Sequence, residues 1–251
     1  MKDENDPYHR LFSSGFGHAT AIYFLERGWK VIATMRHPRP ELFPTSENLR
    51  LLPLDVSNAE SIKRAIADAG EIDVLVNNAG IGVLTSLEGM PMSTVREVFE
   101  TNTLGTIAMT QAVLPQFRAK RGGTVINVTS TVTLKSLPLL AVYTGSKAAV
   151  NAFTESLALE LQPFNVNVRL VLPGLAPTTD FGKNAMPRME ETFLEAYQPM
   201  LDGIMASMHQ PQPTTKAEDV AAAIWQAATD PNAPMRIPAG EDAVALANQT
   251  T

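Results

Sequence analysis

Tyr143 and Lys147 stand four residues apart in the segment Y-T-G-S-K, and Ser130 closes the apolar run T-V-I-N-V-T-S shortly before them. On a helix, residues four apart share one face, so the spacing brings an ammonium within reach of a phenol. A tyrosine hydroxyl titrates near pH ~10 and exchanges protons poorly at neutral pH, whereas a neighbouring cation favours its phenolate and draws it into useful range. Ser130 falls where a β-rich run gives way to a loop, the carboxyl end of a strand, where open α/β sheets bind ligands. The chemistry available is proton transfer by the tyrosine, tuned by the lysine.

Tyr-x-x-x-Lys alone is a short pattern that chance supplies readily, and its context decides. Ser130 precedes Tyr143 by thirteen residues, and Asn77-Asn78-Ala79-Gly80 follows the strand-like D-V-L-V. Asn102 lies in T-N-T-L-G-T, and Pro173-Gly174 ends a later apolar run. From about residue 13 to residue 240 these motifs, in this order, resemble the short-chain dehydrogenase/reductase family. The resemblance implies a catalytic set of Asn102, Ser130, Tyr143 and Lys147 and reversible hydride transfer between a nicotinamide cofactor and an alcohol or carbonyl carbon. It also implies that Asn102 distorts its helix and holds a proton-relaying water, and that Lys147 holds the cofactor ribose.

The elements around these residues follow from periodicity. S-S-G-F-G at 13–17 opens an amphipathic segment to Arg27, with Gly28 as its stop. Backbone N–H groups at such a helix start suit a phosphate, which makes Ser14, Gly15 and Phe16 cofactor-binding candidates, although two glycines more often mark a plain loop. Lys30–Met35 is a strand ending at Arg36. An acidic residue at that strand end would bond a ribose 2′-OH, but Met35 occupies the place and the Arg36 cation follows, which favours NADP(H), with NAD(H) as the alternative. Leu49–Leu54 is a strand leading to Asp55 and Val56, which the resemblance assigns to adenine, while Asp55 also suits the cap of the helix at 58–69.

Asp73–Asn77 is a strand after which Asn78, Ala79 and Gly80, with Gly82, pass close to the cofactor by resemblance, the alternative being a simple turn. Residues 93–120 read as one long helix with Asn102 inside it and Pro115 near its end. An asparagine in a helix interior is less favourable than alanine and commonly has a backbone or water partner. The helix of Tyr143 runs on through Leu161, and its apolar face is wide enough to pack on more than one side; by resemblance it forms a dimer interface. Asn165–Leu172 is a strand stopped by Pro173 and Gly174, both cofactor candidates with Thr178 beyond them. Thr178 and Thr179 suit a carboxamide or diphosphate, or a turn. Residues 175–213 carry five methionines together with Phe181, Phe193, Leu194 and Tyr197, which fits a lid over a lipophilic substrate as well as ordinary helix packing. A helix at 216–229 and a short strand near 235–237 close the chain.

Strands alternating with helices predict right-handed β-α-β crossovers: an α/β fold, a single doubly wound Rossmann-like domain with a mostly parallel sheet and helices on both faces. The 251 residues suit one such domain over 13–251, and no cysteine is available for disulfides or thiolate metal sites. A net charge of −6 argues against a nucleic-acid surface. No apolar run approaches the ~20 residues of a membrane helix, so a cytoplasmic protein is expected, as a homodimer or homotetramer acting on a small or medium lipophilic alcohol or carbonyl compound.

Residues 1–12 depart from the family. It has an apolar first strand leading into T-G-x-x-x-G-x-G; here residues 3–10 are D-E-N-D-P-Y-H-R, and Arg10 and Leu11 stand where threonine and the first glycine belong. A shortened strand over about 8–12 is the most this stretch supports, because unpaired charges would be desolvated and Pro7 removes a ladder donor. The reading is a divergent or mis-started N-terminus on an otherwise competent enzyme. Two other classes stay open: a catalytically impaired binding or regulatory protein on the same scaffold, and an epimerase or dehydratase for nucleotide sugars, against which the usual glycine pattern and longer substrate domain are absent.

Overall fold

The computed structural model describes residues 15–177, 179, 193–208 and 210–249. The expected segment at 1–12, Ser14, Thr178, Phe181, Met186 and Met189 lie outside the described residues. The order of elements is α1 (Phe16–Leu25), β1 (Val31–Met35), β2 (Leu49–Pro53), α2 (Ala59–Ala69), β3 (Val74–Asn77), α3 (Met92–Phe99), a π turn (Glu100–Leu104), α4 (Gly105–Lys120), β4 (Gly123–Val128), α5 (Ala141–Leu161), β5 (Val166–Pro173), α6 (Gln198–Met208), α7 (Ala217–Thr229), β6 (Arg236–Ala239) and α8 (Glu241–Gln249).

Every strand pair is parallel. β1 pairs with β2, and β3, β4, β5 and β6 follow one another in a second group. Among the described residues these are two separate sheets, and the facing edges of β1 and β3 line one cavity. Side-chain alternation along the strands builds two cores, as a parallel sheet covered on both faces requires. Val125 and Val168 meet Ile62, Val113, Phe117 and Leu157 from α2, α4 and α5. Their chain neighbour Ile126, with Val171, meets Phe24 of α1 and Val220, Ile224 and Ala227 of α7 on the opposite face. The arrangement is Rossmann-like, as the sequence predicts.

Three details refine the sequence expectations. The cap of α2 is Asn58, whose side chain accepts from the Ser61 N–H at 2.9 Å; Asp55 instead accepts from the N–H and hydroxyl of Ser57 at 3.0 and 2.6 Å. The long helix over 93–120 is continuous, and at Glu100–Leu104 it widens into the π turn that carries Asn102, the helix distortion that the resemblance implies. Finally, β6 is followed by α8, which begins with Glu241 and Asp242 in a first turn that favours negative charge. The acidic start and the A-V-A-L-A stretch are its only signals in the sequence, and the elements expected from sequence end at the strand before them.

Candidate active site

The carboxyl ends of the strands open into a cavity of about 1950 Å³. Ser130, Tyr143 and Lys147 line it, as do Gly15, Phe16, Arg36, Asp55, Val56, Asn78, Ala79, Gly80, Pro173 and Gly174. Sequence positions spread over the whole chain thus converge at one sheet edge, which is what parallel β-α-β connections impose on strand ends.

Ser130 follows β4 and opens the short turn Thr131–Thr133, its hydroxyl accepting from the Val132 N–H at 3.3 Å. The same hydroxyl bonds the Tyr143 phenol oxygen. Lys147, one helical turn beyond Tyr143 on α5, donates from Nζ to the Val128 carbonyl at 3.0 Å. Gly80 closes the other side. A Cβ there would stand 3.2 Å from Lys147 Nζ and 3.3 Å from Asn102 Oδ1, so only a glycine leaves those polar heads undisturbed.

Asn102 is 1% exposed, and its amide makes three hydrogen bonds. Oδ1 accepts from the Ile81 N–H at 2.8 Å, while Nδ2 donates to the Ile81 carbonyl at 2.9 Å and to Ser146 Oγ at 3.0 Å. Ser146 in turn donates to the Tyr143 carbonyl at 2.7 Å, and Thr103 donates to the Ser146 carbonyl at 3.0 Å. The π turn is therefore tied to the first turns of α5, and Ser146, the residue before the lysine, is the link. Sequence reasoning missed it because a serine inside a helix has no distinguishing local signal. The two asparagines of N-N-A-G also divide their work. Both border the cavity, but the Asn77 amide is engaged by the protein, donating to Thr110 at 3.1 Å and to Asn127 at 2.8 Å, whereas the Asn78 amide lies against Gly17 of α1.

The electrostatics correct one expectation. Burial pushes the Tyr143 phenol up to about 12 although the Ser130 hydrogen bond works in the opposite sense, and burial brings Lys147 down to about 8. With Tyr143 7% exposed and Lys147 5% exposed, desolvation of the charged forms outweighs the attraction anticipated between ammonium and phenolate. Tyr143 therefore keeps its proton at neutral pH and is a donor. At the cofactor end, burial acts to raise Asp55, but the Ser57 hydrogen bonds and the Arg36 cation outweigh it and leave its carboxyl below the ordinary value. Met35 is 4% exposed and offers no acceptor at the strand end. Thr179 closes a turn by donating to the Ala176 carbonyl at 2.9 Å. Leu137, Pro138, Leu201, Ile204 and Met205 add an apolar lining to the same cavity.

Comparison with known proteins agrees with this geometry. The short chain dehydrogenase family matches residues 12–190. A 3-ketodihydrosphingosine reductase of Bacteroides thetaiotaomicron is 40% identical over 169 residues, a match spanning 64% of this chain and 60% of the reductase. The uncharacterized oxidoreductase YusZ of Bacillus subtilis is 34% identical over 233 residues, or 86% of this chain and 82% of that protein. The crystal structure of a short chain dehydrogenase from Burkholderia cenocepacia in complex with NADP superposes with a TM-score of 0.74 at 28% identity, covering 94% of this chain and 88% of the other. Motif order, parallel sheet and converging side chains thus meet in one conclusion: the chain belongs to the short-chain dehydrogenase family, oxidoreductases acting on alcohol and carbonyl groups.

Proposed function

We propose that this protein is an NADP(H)-dependent oxidoreductase that interconverts an alcohol and a carbonyl group on a small or medium lipophilic substrate. The observation that carries it is the hydrogen-bonded Ser130–Tyr143 pair facing the crevice with Lys147 one turn away. When bound, the nicotinamide supplies or accepts the hydride. In the reductive direction Tyr143 donates its proton to the carbonyl oxygen, and Ser130 hydrogen-bonds that oxygen as charge develops on it. Lys147, already donating to the Val128 carbonyl, adds positive charge beside the phenol and holds the ribose. Asn102 keeps the π turn and α5 in register and supports the water that returns the proton. Gly15, Phe16, Asp55, Val56, Asn78, Ala79, Gly80, Pro173 and Gly174 form the cofactor's bed, with Ser14 and Thr178 assigned to it from sequence.

The apolar rim around Met205 supports the lipophilic substrate, and the Bacteroides relative is named for 3-ketodihydrosphingosine. Among the described residues no helix is long and apolar enough to cross a membrane. Leu159 on α5 and Leu104 at the end of the π turn are 74% and 50% exposed, which supports a homodimer or homotetramer, and we place the protein in the cytoplasm. Following NADPH oxidation against a panel of ketones, aldehydes, steroids and quinones tests the reading. Turnover with an apolar carbonyl is expected; absence of NADPH binding and of turnover across the panel would overturn it.

Two expected results follow from charges in the site. Arg36→Asp replaces a cation suited to a 2′-phosphate with a carboxylate that repels it, so the dissociation constant for NADPH rises by about 10–100-fold and preference moves towards NADH. Unchanged binding of both cofactors in fluorescence titration would make Arg36 a surface charge. The second concerns pH. Lys147 loses its proton as pH rises through about 8, while Tyr143, at about 12, keeps its own. Hence kcat/KM for carbonyl reduction is level below about 8 and declines above it; a plateau extending to pH ~10, the ordinary lysine range, would remove the Lys147 charge from the mechanism.

A further inference from the structure

Beyond the strand end at Pro173, the backbone of Gly174 and Leu175 is held by two side chains from distant parts of the chain. The Gly174 N–H donates to Thr215 Oγ1 at 2.9 Å, and the Leu175 N–H donates to Asp242 Oδ2 at 2.6 Å. The Thr215 N–H donates back to the Leu175 carbonyl at 2.7 Å. The Thr215 hydroxyl shares its proton between Asp242 Oδ1 at 2.7 Å and the Ala239 carbonyl at 2.8 Å. Thr215 is 1% exposed.

The fit is close from both sides. A Cβ on Gly174 would collide with the Asp242 carboxylate, and a Cβ on Gly240, whose φ is +104°, would collide with Thr215 Oγ1. These contacts join the end of β5, the chain two residues before α7, the end of β6 and the first turn of α8. They also bring the two ends of the excursion between Leu175 and Thr215 to one point. Asp242 itself lines the same cavity as Pro173 and Gly174.

We propose that Asp242 and Thr215 are positioning residues for cofactor binding: as a clasp they fix the Gly174–Leu175 backbone in the crevice, and Asp242 does so as an acceptor of hydrogen bonds. The role rests on the NADP(H) reading above. Asparagine at position 242 preserves the clasp, because its Oδ1 accepts from the Leu175 N–H and its Nδ2 donates to Thr215 Oγ1, whose proton then goes wholly to the Ala239 carbonyl. Alanine leaves the Leu175 N–H without its acceptor in a confined place and frees the loop to shift.

The test compares Asp242→Ala, Asp242→Asn and the wild type by NADPH fluorescence titration, well below each variant's melting temperature, with kcat measured alongside. Asp242→Ala is expected to weaken NADPH binding by about tenfold or more while kcat at saturating cofactor changes much less, and Asp242→Asn to restore binding to near the wild-type value. Wild-type affinity in Asp242→Ala overturns the proposal, and so does equal loss in both variants. Hydrogen exchange at the Leu175 amide, protected in the wild type and the Asn variant and exposed in the Ala variant, checks the clasp without cofactor. A wild type that binds neither NADPH nor NADH defeats the function proposed above and this role with it, while the exchange data still report whether the clasp exists.

Discussion

Tyr143→Phe is expected to lower kcat by about 10²–10⁴-fold, the range of a positioned general acid, with NADPH affinity close to wild type. The substitution removes one oxygen and leaves the ring in a site that is 7% exposed, so packing around α5 is conserved. What disappears is the proton that burial keeps on the phenol at neutral pH and the partner of the Ser130 hydroxyl. Among the described residues the Ser130 hydroxyl otherwise accepts only from the Val132 N–H, and Lys147 donates to the Val128 carbonyl. Steady-state kinetics with a carbonyl substrate found in the NADPH screen, together with cofactor titration, decides the matter. Wild-type kcat in this variant would remove Tyr143 from the chemistry, whereas loss of NADPH binding in parallel would show that the phenol supports the cofactor rather than the proton.

The second large effect concerns the N-terminal sequence. Replacing D-E-N-D-P-Y-H-R at 3–10 with an apolar, β-branched strand and Leu11 with glycine is expected to raise the melting temperature by roughly 10 °C and to tighten NADPH binding. The described edges of β1 and β3 both face the cavity, and Val31, Val74 and Val76 are only partly buried there. An apolar strand contributes about 1.5–3 kcal/mol for each large side chain it buries, against about 1–2 kcal/mol of backbone entropy for each residue ordered. Each kcal/mol of net gain corresponds to about 2–4 °C in a chain of this size, so a gain of about 3–4 kcal/mol gives roughly 10 °C. Glycine at position 11 removes a side chain from a turn that, by family pattern, approaches the pyrophosphate. Equal melts and equal affinities for the two proteins would show that the native segment serves as well as the usual strand.

How much of this was legible beforehand depended on the range of the interactions involved. The alternation of β-rich runs with helical stripes needs only neighbours in sequence, and the strands at 31–35, 49–53, 74–77, 123–128 and 166–173 fall within a residue or two of where periodicity puts them. The Tyr143–Lys147 spacing likewise fixes a shared helix face before any tertiary contact forms. Convergence of Ser130, Gly80, Asp55 and Pro173 on one edge follows once the connections are parallel, because every strand then ends on the same side.

Three things waited for the tertiary structure. Asp55 and Asn58 are both good helix caps by type, and only the chain path decides that Asn58 reaches the Ser61 N–H. Ser146, Thr215 and Asp242 carry no local signal for these roles, since their partners Asn102, Gly174 and Leu175 lie 44, 41 and 67 residues away, and proximity of that kind is created by folding alone. The four-residue spacing implies a lowered Tyr143 pKa, whereas burial raises it, since a sequence displays the neighbouring charge but not the burial. Desolvation depends on every element packed around α5, and at 7% and 5% exposure it overrides the one interaction that the four-residue spacing had announced.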